Sequence, residues 1–282
     1  MKIFVVGSLN MDLVIKAPFM PENGMTIGGE GFMTNPGGKG ANQAAAIGKL
    51  GGNVRMVGCV GEAFGDELKS VLEGYGVDTR CVKKLGGVSS GIAVIVVVDG
   101  DNRIILDAGA EAGDYLVAQL EIGLPVVEYA LEKAKEKGMV TMLNPAPAAE
   151  LSEKTLSFCD YFIPNQSEAE FYTGIRPADE VSAKKCAEAL AAKGVKNVVV
   201  TMGAEGSAYI GGGRYVKVNA FRAEAVDTTA AGDTYVGALA VRLSEGADVE
   251  EAMIFASKAS SVTVTRRGAQ QSIPFRREVE AL

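Results

Sequence analysis

The chain has 282 residues, 48% of them hydrophobic and 22% charged, which is enough for a substantial core in one large domain or a domain with a small accessory piece. A net charge of −7 with no basic run argues against nucleic acid as a partner, because that binding draws on clustered Lys and Arg. The absence of histidine excludes Ser-His-Asp and Cys-His chemistry, and the scattered Cys59, Cys81, Cys159 and Cys186 suit a reducing cytoplasm better than a zinc site or a disulfide framework.

Directly after Met1, KIFVVGS reads as a buried strand, with neither a signal peptide nor a membrane span, so a cytoplasmic chain with no membrane partner is expected. GSLNMD (Gly7 to Asp12) ends that strand. Asn10 and Asp12 are two residues apart and share a face if the chain stays extended, where they could hold a vicinal diol. A turn-capping Asn beside a solvated Asp is an equal reading. The stretch from Leu13 to Thr34 is rich in Gly and Pro and weakly strand-like. NPGGKGANQ (Asn35 to Gln43) then opens a helix over GKGANQAAAIGKLG.

This stretch is not a Walker A loop, since Met33 stands where the first glycine belongs and Gly40 follows the lysine. Gly37 and Gly38 allow a ligand near the backbone, and Lys39 and Asn42 lie one helical turn apart. A plain strand-to-helix turn fits the same residues. VVGSLNMD lacks G-x-G-x-x-G, which disfavours a dinucleotide fold.

NVRMVGCVG reads as a strand and FGDELKSVLEGYG as an amphipathic helix. GIAVIVVVDGDNRIILDAG reads as a hairpin around Asp99-Gly100-Asp101-Asn102. Only six residues, GAEAGD, separate it from the next strand, YLVAQLE. That is too short for a parallel crossover, so either these strands are not parallel neighbours or a helix is missing.

From Tyr115 the alternation is regular: YLVAQLE, the helix PVVEYALEKAKEKG, VTMLNP, a short helix, YFIPN, SEAEFYTG, EVSAKKCAEALAAKG and NVVVTMG. It predicts a parallel sheet covered by helices on both faces. In PNQSEAE, Ser167 is placed as a helix N-cap, with Asn165 and Glu168 at the carboxyl end of a strand, where open α/β sheets bind ligands. TMGAEG (Thr201 to Gly206) is a glycine-bearing loop suited to a nucleotide. SAYIGGGRYVKVN is a hairpin, and helices follow from about Gly232 to Glu245 and from Val249 to about Val264.

VDTTAAGDT carries the strongest chemistry. Ala230, Ala231 and Gly232 bare the amides of a helix start, a ready anion site, and Asp233 sits in the first turn beside it. An ordinary first-turn acid above packing alanines is the bland alternative. TRRGAQQSIP (Thr265 to Pro274) is either a basic surface turn or a segment whose carbonyls and Ser272 coordinate a cation.

In this order, GSLNMD, NPGGKGANQAAA, LNPAPA, PNQSEAE, VDTTAAGDTYVGALA and TRRGAQQSIP resemble the ribokinase-type sugar kinases of the PfkB carbohydrate kinase family. The resemblance implies a three-layer α/β/α sandwich with a mainly parallel sheet. It implies a single kinase domain over 1–282 with a small β-sheet lid from about 13–34 and 91–107, through which two copies pair as a homodimer. It implies phosphorylation of D-ribose at the 5-hydroxyl with ATP, Mg²⁺ and K⁺.

Carried over by residue, Asp233 matches the catalytic base and Ala230, Ala231 and Gly232 the anion hole. Asn10, Asp12, Gly38, Lys39, Asn42 and Glu121 match sugar-contacting positions. Asn165, Glu168, Thr201, Gly203 and Gly206, with Ser257 more loosely, match nucleotide and Mg²⁺-associated positions. Asp227, Thr229, Thr263, Arg266, Gly268 and Ser272 match potassium ligands, several through backbone carbonyls. One departure stands out: the helix this family carries between LDAGA and YLVAQLE is absent. Tyr235 also stands where many relatives have Phe.

Overall fold

Strand β1 (Ile3–Val6) is four apolar residues long and buried throughout. Ile3 and Val5 enter one hydrophobic core, and Phe4 and Val6 enter another on the opposite face. A strand with period-two side chains buries every residue only when both faces of its sheet are covered. These relations come from a computed structural model, which describes residues 1–16, 19, 27–28, 30–94 and 111–282.

The remaining strands are β2 (Asn10–Lys16), β3 (Glu30–Gly37), β4 (Val54–Val60), β5 (Asp78–Lys84), β6 (Gly91–Val94), β7 (Tyr115–Ala118), β8 (Val140–Leu143), β9 (Tyr161–Phe162), β10 (Asn197–Thr201), β11 (Ser207–Gly211) and β12 (Arg214–Val218). Nine of the described strands form one sheet in the order β12-β11-β10-β9-β8-β7-β1-β4-β5. From β10 to β5 neighbours run parallel, and β11 and β12 complete the edge as antiparallel strands. A second sheet, β3-β2-β6, pairs β2 antiparallel to β3 and parallel to β6.

The helices divide between the two cores. Residues of α1 (Lys39–Lys49), α2 (Gly65–Gly74), α7 (Ala231–Ser244), α8 (Val249–Thr263) and α9 (Arg276–Glu280) join the first, while α3 (Leu124–Glu136), α4 (Glu153–Ser157), α5 (Gln166–Thr173) and α6 (Glu180–Ala191) supply the second. This is the expected three-layer α/β/α sandwich. Several helix starts are set by local chemistry: Ser152, Asp179 and Asp248 each accept a hydrogen bond from a first-turn amide, a contact worth about 1 kcal/mol.

Several sequence expectations change. Asn10 and Asp12 open the second sheet rather than ending the first strand. Asn165, not Ser167, is the N-cap of α5, because its Oδ1 accepts from the Glu168 amide while the Glu168 carboxylate accepts from the Asn165 amide. Strand β5 and helix α9 were not anticipated. The run that precedes the short junction, 103–108, lies outside the described residues; β6 belongs to the other sheet, and β7 pairs with β1 and β8. A turn at 111–114, in which the Asp114 amide donates to the Glu111 carbonyl, leads directly into β7. The hairpin beyond Val94, with its turn at 99–102, and 17–18, 20–26 and 29 in the stretch before β3 lie outside the described residues.

Candidate active site

The chain leaves β1 for β4 and β5 on one side and later resumes with β7, β8, β9 and β10 on the other. Strand order therefore reverses between β1 and β7, and the crevice beyond the carboxyl ends of such strands is where open α/β sheets bind ligands. A cavity of about 390 Å³ lies here. The segments after β7, β8 and β9 contribute Glu121, Asn144 and Asn165, the end of β10 contributes Thr201, and Asn10 and Asp12 enter from β2.

Helix α1 brings Gly38, Lys39 and Asn42 to the same space. Gly38, its N-cap, holds φ +86, and an added Cβ would lie 2.9 Å from the Asn10 amide nitrogen. Glycine is thus required both for the turn and for the approach of the two chains. The Glu121 carboxylate accepts from Ser8 Oγ at 2.5 Å and from the Lys39 amide at 2.8 Å, which fixes the start of α1 against the end of β1.

Helix α7 supplies the anion end. Ala230 is its N-cap and takes a left-handed backbone, φ 60, a conformation costing about 1 kcal/mol or more in a residue with a Cβ. The Ala231 amide donates to the Thr228 carbonyl, and the Thr234 amide donates to the Ala230 carbonyl. Between them, the amides of Gly232 and Asp233 carry no hydrogen bond among the described residues. Thr228, Thr229, Ala230 and Gly232 line the cavity, and a Cβ added at Gly232 would meet nothing within 4 Å. The helix therefore starts with unshielded N–H groups facing open space, a site for an anion.

Asp233 is the buried acid of this space. Its Oδ2 accepts from Asn42 Nδ2 at 3.0 Å and its Oδ1 from Gln43 Nε2 at 3.1 Å. Burial raises its pKa, opposed by the Lys39 ammonium and the two amide donors and reinforced by Glu121. Asp12 is pushed up to about 6, by burial first and then by the Glu121 charge. Burial also raises Glu168. Asn42 Oδ1 is buried without a partner among the described residues, an acceptor that a ligand hydroxyl would satisfy.

The cavity therefore gathers Asn10, Asp12, Gly38, Lys39, Asn42, Glu121, Asn165, Glu168, Thr201, Thr229, Ala230, Gly232 and Asp233 from the residues singled out in the sequence. Ala231 lies just behind this wall. Gly203, Gly206 and Ser257 do not line the cavity. Gly206 packs its backbone against the Val218 carbonyl, and Ser257 Oγ donates to the Asn219 carbonyl.

The cation candidates form a separate cluster under the α7 start. Asp227 accepts from the amides of Thr229 and Gly268, clamping two loops together. Burial raises its pKa, and those hydrogen bonds overcome it to leave a net lowering. Thr263 Oγ1 donates to Thr234 Oγ1 and Ser272 Oγ to the Ala269 carbonyl, which leaves lone pairs on both hydroxyl oxygens, whereas the Arg266 guanidinium pairs with Glu278 and could offer an ion only its backbone carbonyl. Oxygen donors of this kind suit a hard cation. Among the described residues no three His, Cys, Asp or Glu side chains converge on a metal position.

Sequence reasoning missed Gln43, Gln119 and Asn144. Gln43 Nε2 also donates to Asn144 Oδ1, and Gln119 Nε2 donates to Gln43 Oε1. The available signal was a glutamine inside the otherwise small and apolar run ANQAAA.

A sequence model of pfkB family carbohydrate kinases matches residues 1–276. The chain is 41% identical to a ribokinase of Schizosaccharomyces pombe, covering 99% of this chain and 96% of that one. It is 38% identical to a deoxyribokinase of Salmonella typhi, with coverages of 97% and 96%. The structure of Arabidopsis thaliana ribokinase complexed with ribose and ATP superposes with a TM-score of 0.87 at 30% identity, over 99% of this chain and 97% of that one.

Proposed function

Because the chain belongs to the pfkB family of carbohydrate kinases, and is thus an ATP-dependent carbohydrate kinase, we propose that it phosphorylates the 5-hydroxyl of D-ribose, giving D-ribose 5-phosphate and ADP. The observation that carries this reading is the buried Asp233 carboxylate at the start of α7, beside bare amides and lining one cavity with Asn10 and Asp12. The similarity to a ribokinase bound to ribose and ATP supports the pairing of sugar and nucleotide.

Asn10, Asp12, Lys39, Asn42 and Glu121 hold the ring hydroxyls, with the 5-hydroxyl beside Asp233. The alcohol oxygen attacks the γ-phosphorus, the bond to the bridging oxygen of ADP breaks, and Asp233 takes the alcohol proton. The raised pKa of a buried carboxylate makes it a better proton acceptor than an exposed one. The N–H groups of Gly232 and Asp233, at the positive end of α7, offset charge developing on the transferring group. Thr201, Asn165 and Glu168 face the nucleotide.

Magnesium, when bound with ATP, neutralises charge on the phosphate oxygens. Potassium would sit on carbonyls around Asp227, Thr229, Thr263, Arg266, Gly268 and Ser272 and brace the loop that begins α7. The small sheet acts as a lid over the sugar. It leaves Ile15, Phe32, Met33 and Ile92 exposed, apolar surface suited to a homodimer. The chain works in the cytoplasm, and among the described residues no helix is long and apolar enough to cross a membrane.

A second reading, deoxyribose as acceptor, is favoured by the 38% identity to a deoxyribokinase. ADP release measured over a panel of pentoses, hexoses and nucleosides, in potassium and in sodium, decides between them. D-ribose is expected to give the highest kcat/KM, with lower turnover in sodium. A preference for deoxyribose, a hexose or a nucleoside overturns the ribose assignment, and indifference to the cation overturns the potassium site.

A further inference from the structure

We propose that Gln43, held in one amide orientation by Asn144, is a positioning residue that keeps the Asp233 carboxylate ionised and aimed at the acceptor alcohol; this rests on the reading of Asp233 as the base. Gln43 and Gln119 are fully buried, and neither has access to ligand. The Gln43 amide uses both N–H groups and its oxygen: Nε2 donates to Asp233 Oδ1 and to Asn144 Oδ1, each at 3.1 Å, while Oε1 accepts from Gln119 Nε2 at 2.5 Å.

The polarity of this chain is determined from its far end. Asn144 Nδ2 donates to the Ile163 carbonyl at 3.0 Å, so its Oδ1 must face Gln43. Were Gln43 flipped, its oxygen would confront two acceptors, Asn144 Oδ1 and the carboxylate. An N–H therefore always faces Asp233 Oδ1. Together with Asn42 on Oδ2, it occupies one lone-pair site on each oxygen and leaves the others for an incoming proton.

A donor of this kind favours the ionised form, working against the burial that favours the neutral one. The charged groups acting on Asp233 are Lys39, which favours ionisation, and Glu121 and Glu168, which oppose it. None of them lies on the Gln119–Gln43–Asn144 chain, so a change at Gln43 reads the amide alone.

The test is a titration of Asp233 in the free protein, with aspartate labelled by ¹³C at Cγ and the resonance assigned by its loss in Asp233→Asn. Gln43→Met, which keeps length but removes the donor, should raise the midpoint by about one unit. Gln119→Met, one residue further away, should raise it less, by removing the donor that polarises the Gln43 amide. With D-ribose and ATP, Gln43→Met should lower kcat about tenfold at neutral pH and leave the sugar KM within about twofold, with the acid limb of kcat moved upward.

A midpoint unmoved in both variants overturns the proposal, including where thermal stability falls, because that is the behaviour of a purely structural glutamine. If Gln43→Met does not fold, the Gln119→Met midpoint decides in the same way. Absence of sugar kinase activity in the unaltered protein would strike the proposed function and leave the titration readable.

Discussion

Asp12 and Asp233 line one cavity, and their environments separate them. Asp12 has no amide donors among the described residues and is raised to about 6, while Asp233 is held by Asn42 and Gln43. Ionised Asp12 accepts from sugar hydroxyls more strongly than protonated Asp12. Sugar affinity is therefore expected to weaken as pH falls through about 6, the value to which Asp12 is raised. Calorimetry in the Asp233→Asn variant, which removes one other titrating acid, checks this; an affinity flat from pH 7.5 down to about 5 would contradict it.

At this scale the sequence was legible where a residue type is chemically unusual for its place. An acid after three small residues at a helix start is such a case. Gln43 was not, because a glutamine in a helix has ordinary propensity and reveals its role only when the fold brings Gln119 and Asn144 to it. Gly206 shows the converse: a glycine packed closely against the Val218 carbonyl looks in sequence like one required by a ligand.

Helices α1 and α7 hold the two halves of the site, and their separation is set by small residues. A Cβ on Gly237 would lie 2.6 Å from Ala46 Cβ and 3.0 Å from the Gln43 carbonyl oxygen. Gly237→Ala is expected to push the helices apart, costing about 1–3 kcal/mol and several degrees of Tm, with loss of kcat as Asn42 and Gln43 leave Asp233. An unchanged Tm and kcat would show that the helix spacing has slack.

At its other end, α1 is tied to the loop that bears Gly268 and Ser272. Buried Lys49 Nζ donates to the carbonyls of Gln270 and Ile273 at 2.6 and 2.9 Å and lies 4.3 Å from the Tyr75 ring centroid. Burial, then Arg266, lowers its pKa to about 8, with Glu278 acting in the other direction. Between about 8 and the ordinary lysine value, the unfolded chain binds more protons than the folded one, so the stability difference between the unaltered protein and Lys49→Met should rise with pH across that window. Denaturant melts at pH 7.5, 9 and about 10.5 check the slope, and a falling difference would contradict it. The amphipathic helices were readable from their period. Strand β5 was not, since DTRCVKK carries too many charges to resemble a buried strand and sits at the sheet edge, where charge is tolerated.

For the molecule as a whole, regular strand–helix alternation predicted the layers, but strand order is a tertiary property. The sequence could not show that the second strand leaves the first sheet, which places Asn10 and Asp12 opposite Asp233. If the exposed side chains of the small sheet pair two copies, Phe32→Glu should shift the sedimentation coefficient from dimer to monomer and raise the sugar KM. A monomeric unaltered protein would remove that part of the account.

The central claim is that Asp233 accepts the proton of the alcohol, and its removal tests this most directly. For Asp233→Asn, turnover of D-ribose and ATP should be measured together with calorimetric affinities for both. The account predicts turnover lower by ~10²-fold or more with affinities within about threefold. Turnover near that of the unaltered protein would contradict it.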